Sequence, residues 1–184
     1  MLSERAARVR AVQQPEPDAK DWTWAITERC PECGFDPAHI EREDIPDLTR
    51  DYAAVLADAA RAATSTERPA PTVWSALEYA CHVRDVCAIY VARLTHMLDE
   101  DDPIFANWDQ DEAAVEDQYW TQRPGLVAGQ VIAAADTIAA GFADIQAYQW
   151  QRPGRRSNGS VFTIETFATY FLHDLAHHAW DVSR

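Results

Sequence analysis

His173 and His177 stand four residues apart in the run HDLAHH. On a helix that spacing puts both imidazoles on one face about a turn apart, as metal ligation requires. An isolated pair of this kind is as often an accident of packing as a ligand pair. His82 shifts the balance, because it lies among Ala, Val and Cys in the middle of an apolar stretch, where an imidazole without a partner is costly to bury. Packed against the helix that bears the pair, it completes a three-nitrogen set of His82, His173 and His177. Three protein ligands leave a coordination position for water or substrate, the arrangement of a catalytic centre and not of a closed structural one. Imidazole accepts zinc, nickel, iron or copper, and zinc is expected first, with nickel and iron as alternatives. A metal-bound water or thiolate would then do the chemistry. Glu78 and Asp85 flank His82 at helical spacing and Asp174 adjoins the pair, so these carboxylates are candidates to orient the ligands. His178 is about 100° round the helix from His177 and is read as packing or support. His39 and His96 are read as surface residues.

Cys30 and Cys33, in the segment CPECGFD, resemble half of a zinc knuckle, yet no second CxxC exists to close a four-cysteine site. Three readings stand side by side: a turn with free thiols, a redox-active dithiol, and a partial metal site completed from a distance by His39 or another residue. Cys81 and Cys87 lie inside a strongly helical stretch and read as reduced packing residues. Arg152, Arg155 and Arg156 make the only compact basic patch. It could receive a carboxylate or phosphate of a substrate or cofactor, or pair with acidic neighbours in the 99–117 segment.

Positioning these groups requires helices. Apolar spacing predicts a first helix from residue 46 or 47 to 63, with Leu48, Tyr52, Val55, Leu56 and Ala59 on one face. A second begins with Thr72 as N-cap and runs to 98. The third opens at Pro124 and reaches 150, and the fourth starts near Thr163 and continues almost to the end. Between the second and third lie about 25 polar residues, 99–123, long enough for a crossover along the bundle. Trp22, Trp24 and Ile26 alternate as a short extended segment. The expected division is an N-terminal arm with the CxxC segment over 1–44, its first twenty residues charged and frayed, and a four-helix bundle over 45–184.

The totals agree. The chain has 184 residues, enough for one domain to bury its own core. Its 16 basic and 30 acidic residues give a net charge of −14, which argues against a nucleic-acid partner. The absence of a long uninterrupted apolar run and of a signal-peptide core argues against a membrane and places the protein in the cytoplasm.

Trp74-Ser-Ala-Leu-Glu78 leading to His82 and Asp85, together with His173-Asp-Leu-Ala-His177-His178 in the last helix, resembles the DinB superfamily over about residues 45–184. That group includes YfiT-like proteins and the N-terminal domains of mycothiol-dependent maleylpyruvate isomerases. The resemblance implies an all-α four-helix bundle of up-down-down-up topology with a long crossover between helices two and three. It also implies a divalent metal held by His82, His173 and His177, and a transferase activity with a low-molecular-weight thiol (mycothiol, bacillithiol or glutathione) that the metal activates. The expected partners are then a small-molecule thiol and an electrophile, with a homodimer as a compatible assembly. No second domain of the isomerase type is expected. Two alternatives belong to other classes: a non-catalytic metal-binding stress or redox-responsive protein using the Cys30/Cys33 dithiol, and a metal-dependent hydrolase.

Overall fold

Pro46 in the first turn opens helix α1, Ile45–Ala62, whose buried face is Ile45, Thr49, Ala53, Leu56 and Ala60. The computed structural model describes residues 22–63, 66–70 and 72–184, so the frayed arm expected at the start lies outside them. Helix α2, Ala76–Asp99, starts three residues later than Thr72 would place it. Ser75 is the N-cap because Glu78, three residues on, reciprocates: the Glu78 N–H donates to the Ser75 hydroxyl, and the Glu78 carboxylate accepts from the Ser75 N–H at 2.9 Å. Helix α4, Pro124–Ala143, stops short of residue 150 and buries Val127, Val131, Ala135, Ile138 and Phe142. Helix α5, Ile164–Asp181, is capped by Thr163 exchanging hydrogen bonds with Thr166.

α4 packs against both α1 and α2, and α5 closes against α1 and α2. Among the described residues α4 is also the one helix long and apolar enough to cross a membrane by length and composition, a feature the reading of the sequence did not single out. In this fold its buried face belongs to the core of the bundle.

The crossover is structured. It contains strand β1, Ile104–Phe105, helix α3, Gln110–Glu116, and a single 3-10 turn at Tyr119–Thr121. The basic loop expected after the third helix forms a hairpin, β2 Pro153–Arg156 and β3 Val161–Thr163. β1 pairs parallel to β2, and β2 antiparallel to β3, so a small three-stranded sheet is added to the all-α bundle. Arg152 straps this hairpin to α2 by donating to the Met97 and Glu100 carbonyls at 2.6 and 2.8 Å, at a helix end that leaves carbonyls unsatisfied. Gly154 lies so close that a Cβ there would stand 2.7 Å from Met97 Cγ.

Trp22–Ile26 is a 3-10 helix and not an extended segment. It closes on itself through the Thr27 and Glu28 N–H groups, both donating to the Trp24 carbonyl. It packs on α5.

Candidate metal centre

The four residues His173, Asp174, His177 and His178 form two interleaved pairs on α5, each four apart and turned about 100° from the other. The 174/178 pair faces α2. His82 Nε2 lies 3.6 Å from Asp174 Oδ2, and His178 Nε2 lies 3.6 Å from Asp174 Oδ1. The imidazoles of His82 and His178 meet edge to face with centroids 4.8 Å apart. One donor atom from each of His82, Asp174 and His178 falls within 4.8 Å of the others. The 173/177 pair faces the N-terminal segment, where the corresponding atoms of Cys30, Cys33, His173 and His177 also lie within 4.8 Å of one another.

The expected trio of His82, His173 and His177 is therefore divided between two clusters. The turn of about 100° between successive residues of α5 is the reason: Asp174 and His178 point where His82 is, and the residues just before them do not. Asp174 and His178, read as supporting residues, occupy candidate ligand positions. Glu78 is engaged elsewhere. It is fully buried in the α2 cap and paired with Arg68 at 2.7 Å. Asp85 is held by Arg84 at 2.7 Å and accepts the Tyr119 hydroxyl hydrogen bond at 2.5 Å. His39 and His96 are exposed beside Asp36 and Glu100.

Donors and charge at the first cluster suit a divalent cation. Both ring nitrogens of His82 and Asp174 Oδ2 are buried without a hydrogen-bond partner, a situation that costs about 1–3 kcal/mol for each such group. Burial pushes the His82 imidazole down, so it is neutral and offers a lone pair. Burial alone would raise the Asp174 carboxyl, but His178 beside it prevails and holds it at about 2, so it is ionised. His178 Nδ1 hydrogen-bonds Asp181 at 3.2 Å, which leaves Nε2 directed at Asp174 and fixes the ring as metal-ligating histidines are usually fixed. Trp108 stacks on His82 at 5.5 Å and Trp74 packs against it at 5.1 Å.

Asp174 and His178 open onto a cavity of about 450 Å³. Trp22, Trp74, Tyr79, Trp108 and Tyr170 supply aromatic walls, and Asn107, Asn158 and Arg156 supply polar groups. Of the three arginines in the basic patch, Arg156 alone lines this space. Arg152 is committed to the α2 carbonyls, and Arg155 is paired on the surface with Asp102. The Arg156 guanidinium lies over the rings of Phe162 and Tyr170 at 5.3 and 5.1 Å, and its buried Nε has no hydrogen-bond partner.

At the second cluster Cys30 and Cys33 are free thiols. Burial, with Cys30 alongside, pushes the Cys33 thiol up to about 11. Burial and the adjacent His177 take the His173 imidazole down to about 4. Cys81 and Cys87 are fully buried packing residues, each with its thiol pushed by burial up to about 12.

A family model described as the DinB superfamily matches residues 46–182. No curated protein matches the chain. Among solved structures, the chain is similar to YfiT from Bacillus subtilis, described as a probable metal-dependent hydrolase with an unusual four-helix bundle topology. The two share 15% identity with a TM-score of 0.71, over 81% of this chain and 90% of that one, which speaks for a shared fold.

Proposed function

The chain belongs to the DinB superfamily, and on that premise we propose that it is a metal-dependent enzyme whose divalent ion is held by His82, Asp174 and His178, and whose leading reaction transfers a low-molecular-weight thiol to a small electrophile. The observation that carries this reading is the convergence of three candidate donor atoms from two helices at the wall of a cavity. Three ligands leave a position for a reacting group. Zinc is the first candidate, with nickel and iron next.

A bound cation supplies the acidity that turns a coordinated thiol or water into a nucleophile at neutral pH. The remaining work falls to the chain. The Asp174 carboxylate offsets part of the ion's charge, and Asp181 keeps the His178 ring in register through Nδ1. Arg156, packed over two aromatic rings, offers its guanidinium to a carboxylate of the thiol or of the electrophile. Trp74 and Trp108 flank His82 and keep bulk water from its nitrogens. A reduced thiol co-substrate places the reaction in the cytoplasm.

Hydrolysis is the second reading, favoured by the likeness in fold to YfiT and the description of that protein as a probable metal-dependent hydrolase. One set of assays separates the two. Protein purified without an affinity tag and loaded with zinc, nickel or iron is given mycothiol, bacillithiol or glutathione together with a chlorinated nitroaromatic. Metal-dependent loss of one thiol, abolished in His82→Ala and Asp174→Ala, is the expected result. Cleavage of activated esters without any thiol would replace transfer by hydrolysis. Neither activity with any metal would leave a metal-binding protein without turnover.

A further inference from the structure

We propose that Cys30, Cys33, His173 and His177 form a second, closed metal site, a structural zinc centre of two thiolates and two imidazoles that fastens the N-terminal segment to the last helix. Its ligand set shares no residue with the centre assigned to His82, Asp174 and His178.

Four donor atoms, one from each residue, lie within 4.8 Å of one another. Zinc bonds of about 2.0 Å to nitrogen and 2.3 Å to sulfur give a tetrahedron with edges of about 3.3–3.8 Å, and Cys30 Sγ stands 3.8 Å from His177 Nδ1. The thiols come from a turn shaped to present them. Gly34 takes φ +78°, open to glycine at little cost, and its N–H donates to the Cys30 carbonyl at 3.0 Å, while the Cys30 N–H donates to the Phe35 carbonyl at 2.8 Å. Cys30 and His173 are only 1% and 3% exposed, and His173 Nε2 has no hydrogen-bond partner. The other nitrogen of His177, Nε2, looks toward the Glu32 carboxylate at 3.8 Å, on the side where ligating imidazoles usually find a carboxylate.

Four protein ligands fill a tetrahedral zinc, so this centre has no position for a substrate, unlike its neighbour one residue along α5. Its task is placement. Trp22 packs on both His173 and His177, with centroids 5.5 and 5.1 Å away, and the same indole lines the cavity. The zinc centre thereby holds one wall of the reaction chamber.

Cobalt(II) substitution in the full chain tests this by a readout that thiolate ligands alone produce. Wild-type protein is expected to take two equivalents, with a sulfur-to-cobalt charge-transfer band in the near ultraviolet and the visible bands of a tetrahedral ion. Cys30→Ser should lose the band and one equivalent. Cys33→His should keep the equivalent and weaken the band, which guards against the first variant simply failing to fold. His82→Ala should lose the other equivalent and keep the band, so failure at the reaction centre is read separately. A wild-type protein without the band would overturn the proposal. So would thiols at 30 and 33 that react with a thiol reagent equally fast with and without bound metal, or a Cys30–Cys33 disulfide in the metal-loaded protein.

Discussion

Asp174 touches two imidazoles through its two oxygens, and Asp181 in turn holds one of those rings. The second contact is the gentler one to remove. Asp181→Asn keeps the size and a hydrogen-bonding group but loses the charge that orients His178. It is expected to lower metal affinity at this cluster by about 10–100-fold, as chelator competition would measure, while leaving the thiolate–cobalt band intact. Arg156 makes a different prediction. If it receives an anionic group of a substrate, Arg156→Ala removes a charge-assisted hydrogen bond and raises KM by about 10–100-fold, with metal content unchanged; an unaltered KM for both substrates would count against that role. At this scale part of the chemistry was legible in the residue types. The run HDLAHH and His82 pointed to metal ligation. Asp174 was harder to recognise, because a carboxylate beside a histidine is usually a supporting group, and only its place between two rings marks it as a candidate ligand.

The elements are held by local signals that can be tested one by one. Ser75→Ala removes the hydroxyl that caps α2 and half of the reciprocal pair with Glu78. A loss of about 1 kcal/mol is expected, a fall in Tm of about 2–4 °C for a chain of this size, read by thermal denaturation. Gly154→Val drives a branched side chain into Met97, which is fully buried and has little room to move. Overpacking of that kind costs about 1–3 kcal/mol, and it should loosen the hairpin that carries Arg156. Helix positions were readable from apolar spacing because the rule is local. The start of α2 was misplaced because Thr72 and Ser75 are both good caps, and the choice rests on Glu78 standing three residues after one and six after the other. The β-hairpin was hidden by its polar composition. It exists because the end of α2 supplies carbonyls for Arg152 and a bed for Gly154, and β1 supplies a partner strand.

Across the whole molecule, the two clusters draw on adjacent residues of α5 yet face different neighbours, α2 for one and the N-terminal segment for the other. Metal removal should therefore act unevenly. A chelator strong enough to strip both sites is expected to raise amide exchange first over residues 22–44 and later, if at all, in α1, α2, α4 and α5. An ion present at about 1,000 times its dissociation constant contributes about 4 kcal/mol, so Tm should fall by about 10 °C for each site emptied; uniform exchange throughout would show that the segment is not pinned by metal. The four long helices, the CxxC turn and the presence of metal-seeking side chains were legible in the chain's residue order, since these depend on spacing and residue type within a few positions. That order held two pairs four apart, 173 with 177 and 174 with 178, and residue type favoured the first because both its members are histidines. Which pair meets His82 and which meets Cys30 and Cys33 depends on the rotation of α5 about its own axis. Packing against α1, α2 and the N-terminal segment sets that rotation, and one residue's difference of about 100° decides which side chains share an ion.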